Sequence, residues 1–282
     1  TKQYNKVKRI VYSEPKKNHI IVSAPGKRYE SDVKVTDMLY DVYSLNFKRN
    51  SIRENIKRLI QEEINITMKS KERILDIENR FEEICTELNI KETMIEDIKK
   101  VFKEIEDSSE RDFIISRGEF LNALIMASHL GYKFVDAKDI IFFDDEGNLD
   151  EYKTYKEIKT KISKEDKVVV PGFYGINNQK KIKTFERGGS DITGSIIASA
   201  LDASVYENWT DVCGVMTADP KKEKSAKTIE ILTYKELLEI SANGAQVYHK
   251  DAIKPVEKAA IPINIKNTND PEESGTIIKG GL

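Results

Sequence analysis

Short runs of apolar, β-branched residues alternate with segments of helical periodicity along most of this chain. When a strand is followed by a helix and a further strand, the strands pair in parallel and helices cover both faces of the sheet. The chain is therefore predicted to be an α/β protein with a mostly parallel central sheet. The predicted strands are 19–22, 134–135, 140–143, 168–170, 204–206, 262–265 and 276–278, and the helices among them are 116–130, 152–162, 190–201, 234–243 and 252–260.

A long charged stretch from 36 to about 107 interrupts this alternation. Its Glu and Lys residues are intermixed, so we interpret it as a solvated helical face and treat 46–107 as a charged helical subregion within one domain, 1–282. A helix is also predicted directly after Thr1. Because a domain rarely begins inside its first helix, a further segment is expected upstream. The helices predicted here are 2–13, 52–64, 74–88 and 94–105.

Charge and cysteine usage restrict the function. Lys and Arg number 46 against 48 Asp and Glu, a net charge of -2, which gives no electrostatic reason to expect nucleic acid or an anionic membrane as a partner. No apolar run reaches membrane-spanning length. Cys85 and Cys213 lie far apart and the three histidines are scattered, so a zinc site is not expected. Reduced thiols in a cytoplasmic protein are the simplest interpretation.

Loops rich in small and polar residues follow three of the predicted strands, at 23–26, 171–175 and 209–214. Open parallel sheets bind ligands at the carboxyl ends of their strands. These three loops are therefore expected to form one composite site.

The segment Arg-Gly-Gly-Ser-Asp at 187–191 is the most informative motif. Its glycines allow close backbone approach to a ligand, Ser190 is a natural N-cap, and Asp191 suits a first helical turn. Arg187 can hold a carboxylate or phosphate through two parallel hydrogen bonds, and a helix N-terminus favours anions. The alternative is a capped helix after a tight turn. The combination favours an anion site.

Ser-Arg-Gly-Glu at 116–119 allows two interpretations. Ser at an N-cap with Glu three residues later is a capping box, which the residues alone favour. The alternative is that Glu119 accepts hydrogen bonds from a substrate ammonium.

The remaining loops are weak signals individually. The two glycines of 171–175 suit an ordinary turn. Asp211 suits a ribose or base and Lys221 a phosphate, but taken alone both are better explained as solvated loop residues. The chain contains neither a G-x-x-x-x-G-K-[ST] loop nor the protein-kinase signature set.

Taken together and in order, these segments resemble the kinase domain of aspartokinases, in the amino-acid kinase superfamily. The resemblance is colinear over nearly the whole chain. It is carried by Pro-Gly-Phe-Tyr-Gly at 171–175, Thr-Phe-Glu-Arg-Gly-Gly-Ser-Asp at 184–191, Trp-Thr-Asp-Val-Cys-Gly at 209–214, Ala-Asp-Pro-Lys at 218–221, and 262–276.

The resemblance implies a three-layer αβα sandwich of the amino-acid kinase (carbamate kinase-like) type with a helical insertion. It implies ATP-dependent phosphorylation of the L-aspartate side-chain carboxylate to 4-phospho-L-aspartate, the first step towards lysine, threonine and methionine. Mg²⁺ arriving with ATP, a homodimer and a cytoplasmic location are implied as well. Two alternatives stay open, namely another amino-acid kinase acting on glutamate, carbamate or a nucleotide monophosphate, and a relative that binds aspartate or nucleotide without catalysis.

The resemblance also assigns site residues. Glu119 matches the acid that holds the substrate ammonium, which reverses the preference for a capping box alone. Asp191 matches an acid that organises the catalytic centre. The implied substrate-binding residues are Ser23, Thr36, Glu119, Arg187 and Ser190, and the implied nucleotide-binding residues are Phe173, Gly188, Gly189, Thr210, Asp211, Met216, Lys221 and Gln246.

The chain departs from the family pattern at several positions. Met216, Lys221 and Gln246 stand where tyrosine, arginine and lysine are usual, and the usual His-Pro is His249-Lys250. The strand ending in Lys-Phe-Gly-Gly that opens the family domain is expected upstream, and the paired regulatory modules are expected after Leu282. The insertion 27–35 is longer than in compact relatives and is expected to form a flap.

Overall fold

The computed structural model describes residues 1–54, 60–186, 188–217, 223, 225–242 and 250–280. The helices are α1 Lys2–Ser13, α2 Val35–Glu54, α3 Ile60–Glu87, α4 Glu92–Asp107, α5 Arg111–Leu130, α6 Glu151–Lys161, α7 Gly189–Ala200, α8 Tyr234–Ala242 and α9 Lys250–Lys258. The strands are β1 His19–Val22, β2 Lys133–Phe134, β3 Phe142–Phe143, β4 Val168–Pro171, β5 Tyr174–Asn177, β6 Ile182–Thr184, β7 Tyr206–Thr210, β8 Ile231–Thr233, β9 Ile263–Asn267 and β10 Thr276–Lys279.

Strand β4 lies at the centre of the molecule, between β1 and β2, and pairs in parallel with both. All four of its residues are buried. Successive side chains of a strand point to opposite faces. Val168 and Val170 accordingly pack into one hydrophobic core with α6 and α7, and Val169 packs into a second core with α1 to α5. This arrangement gives the three layers, helices–sheet–helices, that the resemblance implies.

The other described strands form two further short sheets, in the orders β3-β5-β6 and β7-β9-β10-β8. β3 pairs with β5, β7 with β9 and β8 with β10 in parallel, whereas β5–β6 and β9–β10 are antiparallel. The prediction of a mostly parallel α/β architecture is confirmed, but the strands belong to three short sheets. The sequence analysis missed β5, β6 and β8, which are only three or four residues long.

The charged stretch forms α2, α3 and α4, and it is more than a solvated face. Ile77 and Phe81 of α3 and Ile98 and Ile105 of α4 are almost completely buried in the second core. Apolar residues at helical spacing therefore build an interior stripe, and the mixed charges cover the opposite side.

Several predicted helix starts are wrong, among them those of α5 and α7, and the predicted helix 74–88 begins within α3. Helix α5 begins at Arg111, so Ser116 lies in its second turn, fully buried, and its hydroxyl donates to the Phe113 carbonyl at 2.8 Å. The capping-box interpretation therefore fails. The N-cap of α7 is Gly188 with a φ of 61°, and Ser190 lies within the first turn. A glycine adopts this left-handed conformation without the steric cost of a side chain.

Candidate functional site

The loops after β1 and β4 lie side by side, as the composite-site prediction requires. Val22 is the register partner of Pro171, and the amide of Gly172 donates to the Val22 carbonyl at 2.9 Å. The carboxyl ends of these two parallel strands thus meet at one edge of the sheet, and the loops 23–26 and 171–175 leave it together.

The N-terminus of α7 is pressed against the loop after β4. A Cβ added to Gly172 would lie 2.6 Å from Ser190 Cα, and one added to Gly189 would lie 2.5 Å from Phe173 Cδ2. Both distances are too short for any side chain, so the two glycines permit this contact. It brings the N-terminus of α7, the end at which a helix favours anions, to the composite site.

Phe173 adopts a φ of 81°, which is unusual for a residue with a side chain. Hydrogen bonds hold it on both sides. Its amide donates to Thr193 Oγ1 at 3.1 Å, and its carbonyl accepts from the Phe185 amide at 2.9 Å. The Thr193 hydroxyl also donates to the Gly189 carbonyl at 2.8 Å, which links the strained residue to the start of α7. Strain maintained in this way is common at functional sites.

Glu119 of α5 is buried beside the loop after β1, with 5% of its surface exposed. Gly118 permits this approach, since a Cβ there would lie 2.8 Å from Ala24 Cβ. Burial raises the pKa of Glu119 to about 8, against the opposing effect of backbone hydrogen bonds that include Ala24. Its Oε2 is buried and makes no hydrogen bond with the described residues. A buried carboxylate oxygen of this kind is suited to a cationic donor such as an ammonium group.

The backbone beside Ser23 is fixed by a short hydrogen-bonded chain from α1. Asn122 Nδ2 donates to the Ser23 carbonyl at 2.6 Å, and the buried Tyr4 hydroxyl donates to Asn122 Oδ1. The Ser23 side chain itself is exposed, and Thr36 lies half-buried in the first turn of α2. Sequence reasoning missed Tyr4 and Asn122, because neither belongs to a motif.

Asp191 lies in the first turn of α7, where it is half-buried. Its Oδ1 accepts from Asn208 Nδ2 at 2.8 Å, and its carbonyl accepts from the Tyr206 hydroxyl at 3.4 Å. Tyr206 and Asn208 are two residues apart on β7 and so share a face. Neither residue was predicted, although their alternation on a strand next to the Trp-Thr-Asp segment offered a signal.

The predicted nucleotide-binding residues that follow β7 are more exposed. The Thr210 hydroxyl donates to Asp211 Oδ1 at 3.2 Å at the end of the strand. Met216 is half-buried, and its Sδ accepts from the Thr228 hydroxyl at 3.5 Å. Thr210 and Asp211 follow Asn208 along the chain, and Asn208 is the β7 residue that contacts the Asp191 carboxylate. Arg187, Lys221 and Gln246 lie outside the described residues.

Arg117 is a buried cation next to the site that sequence reasoning did not single out. Its guanidinium carbon lies 4.7 Å from the ring centroid of Phe113, 4.6 Å from that of Phe120 and 5.1 Å from that of Tyr174. Its Nη2 donates to Ser116 Oγ at 2.9 Å. The positive charge of Arg117 opposes the rise in the pKa of Glu119 that burial causes.

Two clefts lie along α3. One, of about 390 Å³, lies between α2 and α3, and the other, of about 370 Å³, is lined by α3 and by residues 28–33. Among the described residues, no three His, Cys, Asp or Glu side chains converge in a way that could hold a metal ion. Within the same part of the chain, no helix combines the length and apolar character needed to cross a membrane.

The architecture and the site define a class of protein. A sequence model of the amino acid kinase family matches residues 3–267, and the chain belongs to that family. Within it, the chain is 34% identical to aspartokinase 3 of Bacillus subtilis over 288 residues, which cover 97% of this chain and 60% of that protein. It is 32% identical to a bifunctional aspartokinase/homoserine dehydrogenase of Buchnera aphidicola, over 92% of this chain and 32% of that protein.

Solved structures agree with this placement. The aspartate kinase of Clostridium acetobutylicum superposes with a TM-score of 0.84 at 43% identity, covering 99% of this chain and 59% of that one. Aspartokinase III of E. coli, in complex with aspartate and ADP, superposes with a TM-score of 0.73 at 22% identity, which supports the fold alone. The chain spans about 60% of the B. subtilis and C. acetobutylicum proteins that it matches.

Proposed function

We propose that this chain is the catalytic part of an aspartokinase, which transfers the γ-phosphoryl group of ATP to the side-chain carboxylate of L-aspartate. The products are 4-phospho-L-aspartate and ADP. The observation that carries the proposal is the buried Oε2 of Glu119, which has no hydrogen-bond partner among the described residues. It lies beside the loop after β1, at the sheet edge where the first turn of α7 also lies. Similarity to aspartokinases over 97% of the chain supports the same substrate.

The proposed chemistry needs positioning more than covalent catalysis. The aspartate side chain is ionised at neutral pH, so its oxygen attacks the γ-phosphorus without a general base while the bond to the ADP oxygen breaks. Two anions must approach each other, and amide groups at the start of α7, cationic side chains and Mg²⁺ carried on the nucleotide phosphates offset their repulsion. Asp191, held by Asn208, is proposed to organise this centre.

The proposed binding roles are those that the resemblance to aspartokinases implies. Glu119 receives the ammonium group of aspartate, Arg187 receives its α-carboxylate, and Ser190, Ser23 and Thr36 also contact this substrate. We propose one catalytic unit, 1–282, with the helical subregion 46–107, acting as a cytoplasmic homodimer at the start of lysine, threonine and methionine synthesis. The proposed nucleotide-binding residues are Phe173, Gly188, Gly189, Thr210, Asp211, Met216, Lys221 and Gln246.

An acceptor panel tests the proposal. The full-length protein that contains this chain is incubated with Mg-ATP and one acceptor at a time, and ADP release is measured. ADP release that depends on L-aspartate, and stays at background with glutamate, carbamate and UMP, is expected. ADP release with one of those three instead of aspartate would assign a different kinase, and binding of aspartate or ATP without ADP release would indicate a non-catalytic relative.

A further inference from the structure

The segment between the two proposed substrate contacts on the β1 side, 26–34, rests on one buried arginine of the helical insertion. Arg80 of α3 has only 3% of its surface exposed. Its Nη1 donates to the Val33 carbonyl at 2.9 Å, and its Nη2 donates to the Gly26 carbonyl. One planar guanidinium thus holds both ends of the segment.

A buried carboxylate balances the charge of this arginine. Asp32 Oδ2 lies 3.2 Å from Arg80 Nη1, and the side chain of Asp32 is 6% exposed. Arg28 donates three hydrogen bonds to the Asp32 carboxylate, from its backbone amide at 2.8 Å and from Nε and Nη2 at 3.1 Å each. These bonds hold the pKa of Asp32 well below its ordinary value. Removing one partner of a buried ion pair is strongly destabilising, because the other charge stays buried without compensation.

The contacts of Arg80 lie close in sequence to two proposed substrate-binding residues. Gly26 lies three residues after Ser23, and Val33 lies three residues before Thr36. Movement of either carbonyl would displace the neighbouring substrate contact. A lysine at position 80 has a point charge without the rigid fork of donors, so it cannot hold two separated carbonyls and a carboxylate in the same geometry.

We propose that Arg80 is a positioning residue for the aspartate pocket, fixing Ser23 and Thr36 by holding the segment 26–34 against α3. The inference rests on the proposed function and extends it to a helix outside the recognised motifs. It predicts an effect confined to aspartate, because none of the proposed nucleotide-binding residues belongs to the segment 26–34 or to α3.

The experiment compares Arg80→Lys and Asp32→Asn with the control Arg73→Lys in the full-length protein. Arg73 lies two turns earlier on α3, and its ion pairs with described residues are longer, 3.4 Å to Asp41 and 3.7 Å to Asp76. Steady-state kinetics give KM for aspartate and for ATP separately, and thermal unfolding reports the stability of each variant.

Arg80→Lys is expected to raise KM for aspartate about tenfold or more while KM for ATP changes less than about twofold. Asp32→Asn, which leaves both carbonyl contacts of Arg80 in place, is expected to give a smaller rise in the same direction and carries the test if Arg80→Lys does not fold. Arg73→Lys is expected to match the wild type. A lower unfolding temperature with both KM values unchanged, or raised equally, would show that Arg80 is only structural. A wild-type protein without aspartate-dependent turnover would instead overturn the proposed function, and this inference with it.

Discussion

At the scale of single residues, the proposed phosphorylation of aspartate depends most on Glu119. Burial raises its pKa to about 8, so in the free protein the carboxyl group is mostly protonated at neutral pH and becomes ionised as the pH rises through 8. Only the ionised form attracts an ammonium group. In the proposed function, Glu119 therefore links the binding of aspartate to the release of a proton.

This linkage predicts a pH profile. The value of kcat/KM for aspartate reports ionisation of the free enzyme, so it is expected to rise about tenfold per pH unit from pH 6 towards 8 and then level off. Glu119→Gln is expected to lower kcat/KM for aspartate about tenfold to a hundredfold and to remove this dependence, because the neutral amide has no charge to gain. A flat wild-type profile between pH 6 and 8 would refute this role of Glu119.

Asn208 gives a second prediction at the residue scale. Asn208→Ala removes the 2.8 Å hydrogen bond that orients the Asp191 carboxylate. Hydrogen bonds to charged groups contribute about 1.5–3 kcal/mol, so kcat is expected to fall at least about tenfold with little change in KM for aspartate. Asn178→Ala, at an exposed asparagine, is the matched control, and equal kcat values for the two variants would exclude a role for Asn208.

At the scale of elements, two segments with a strong apolar pattern were predicted closely, whereas the long helices α2 and α3 were not. The run Val-Val-Val at 168–170 matches β4, because a short continuous apolar run is typical of a strand buried on both faces. The predicted helix 2–13 matches α1, because its apolar residues repeat with the helical period. The start of α5 was missed by five residues. Ile114 and Ile115 are fully buried, so packing of the preceding turn outweighed the capping signal at Ser116.

The packing of the loop after β4 against helix α7 gives a testable prediction at this scale. Gly172→Ala would place a methyl group 2.6 Å from the backbone of Ser190, which cannot yield as a flexible side chain could. Displacement of α7 is expected to lower kcat/KM for both substrates by about tenfold or more, because overpacking costs about 1–3 kcal/mol. Gly280→Ala is the control, since no atom lies within 4 Å of its added Cβ. Equal kcat/KM values for the two variants would show that close packing here does not matter.

At the scale of the whole molecule, the site lies at the edge of a sheet that separates two hydrophobic cores. The sequence predicted that the loops after β1 and β4 meet in one site, because parallel strands share a carboxyl edge, but it did not predict that the start of α7 packs against the β4 loop. The motifs did not identify Tyr4, Arg80 or Asn208. Tyr4 and Arg80 come from elements far away in sequence and reach the site through tertiary hydrogen bonds, which no local pattern records, whereas Asn208, next to the Trp-Thr-Asp segment, was overlooked.

The most direct test of the proposed activity identifies the carboxyl group that is phosphorylated. The full-length protein is incubated with Mg-ATP, L-aspartate and hydroxylamine, which converts an acyl phosphate to a stable hydroxamate, and the product is identified by mass spectrometry and NMR. The proposed function predicts the hydroxamate of the side-chain carboxyl group. One molecule of it is expected for each ADP released, and Glu119→Gln is expected to form much less. ADP release without any aspartate hydroxamate, or a hydroxamate on the α-carboxyl group, would contradict it.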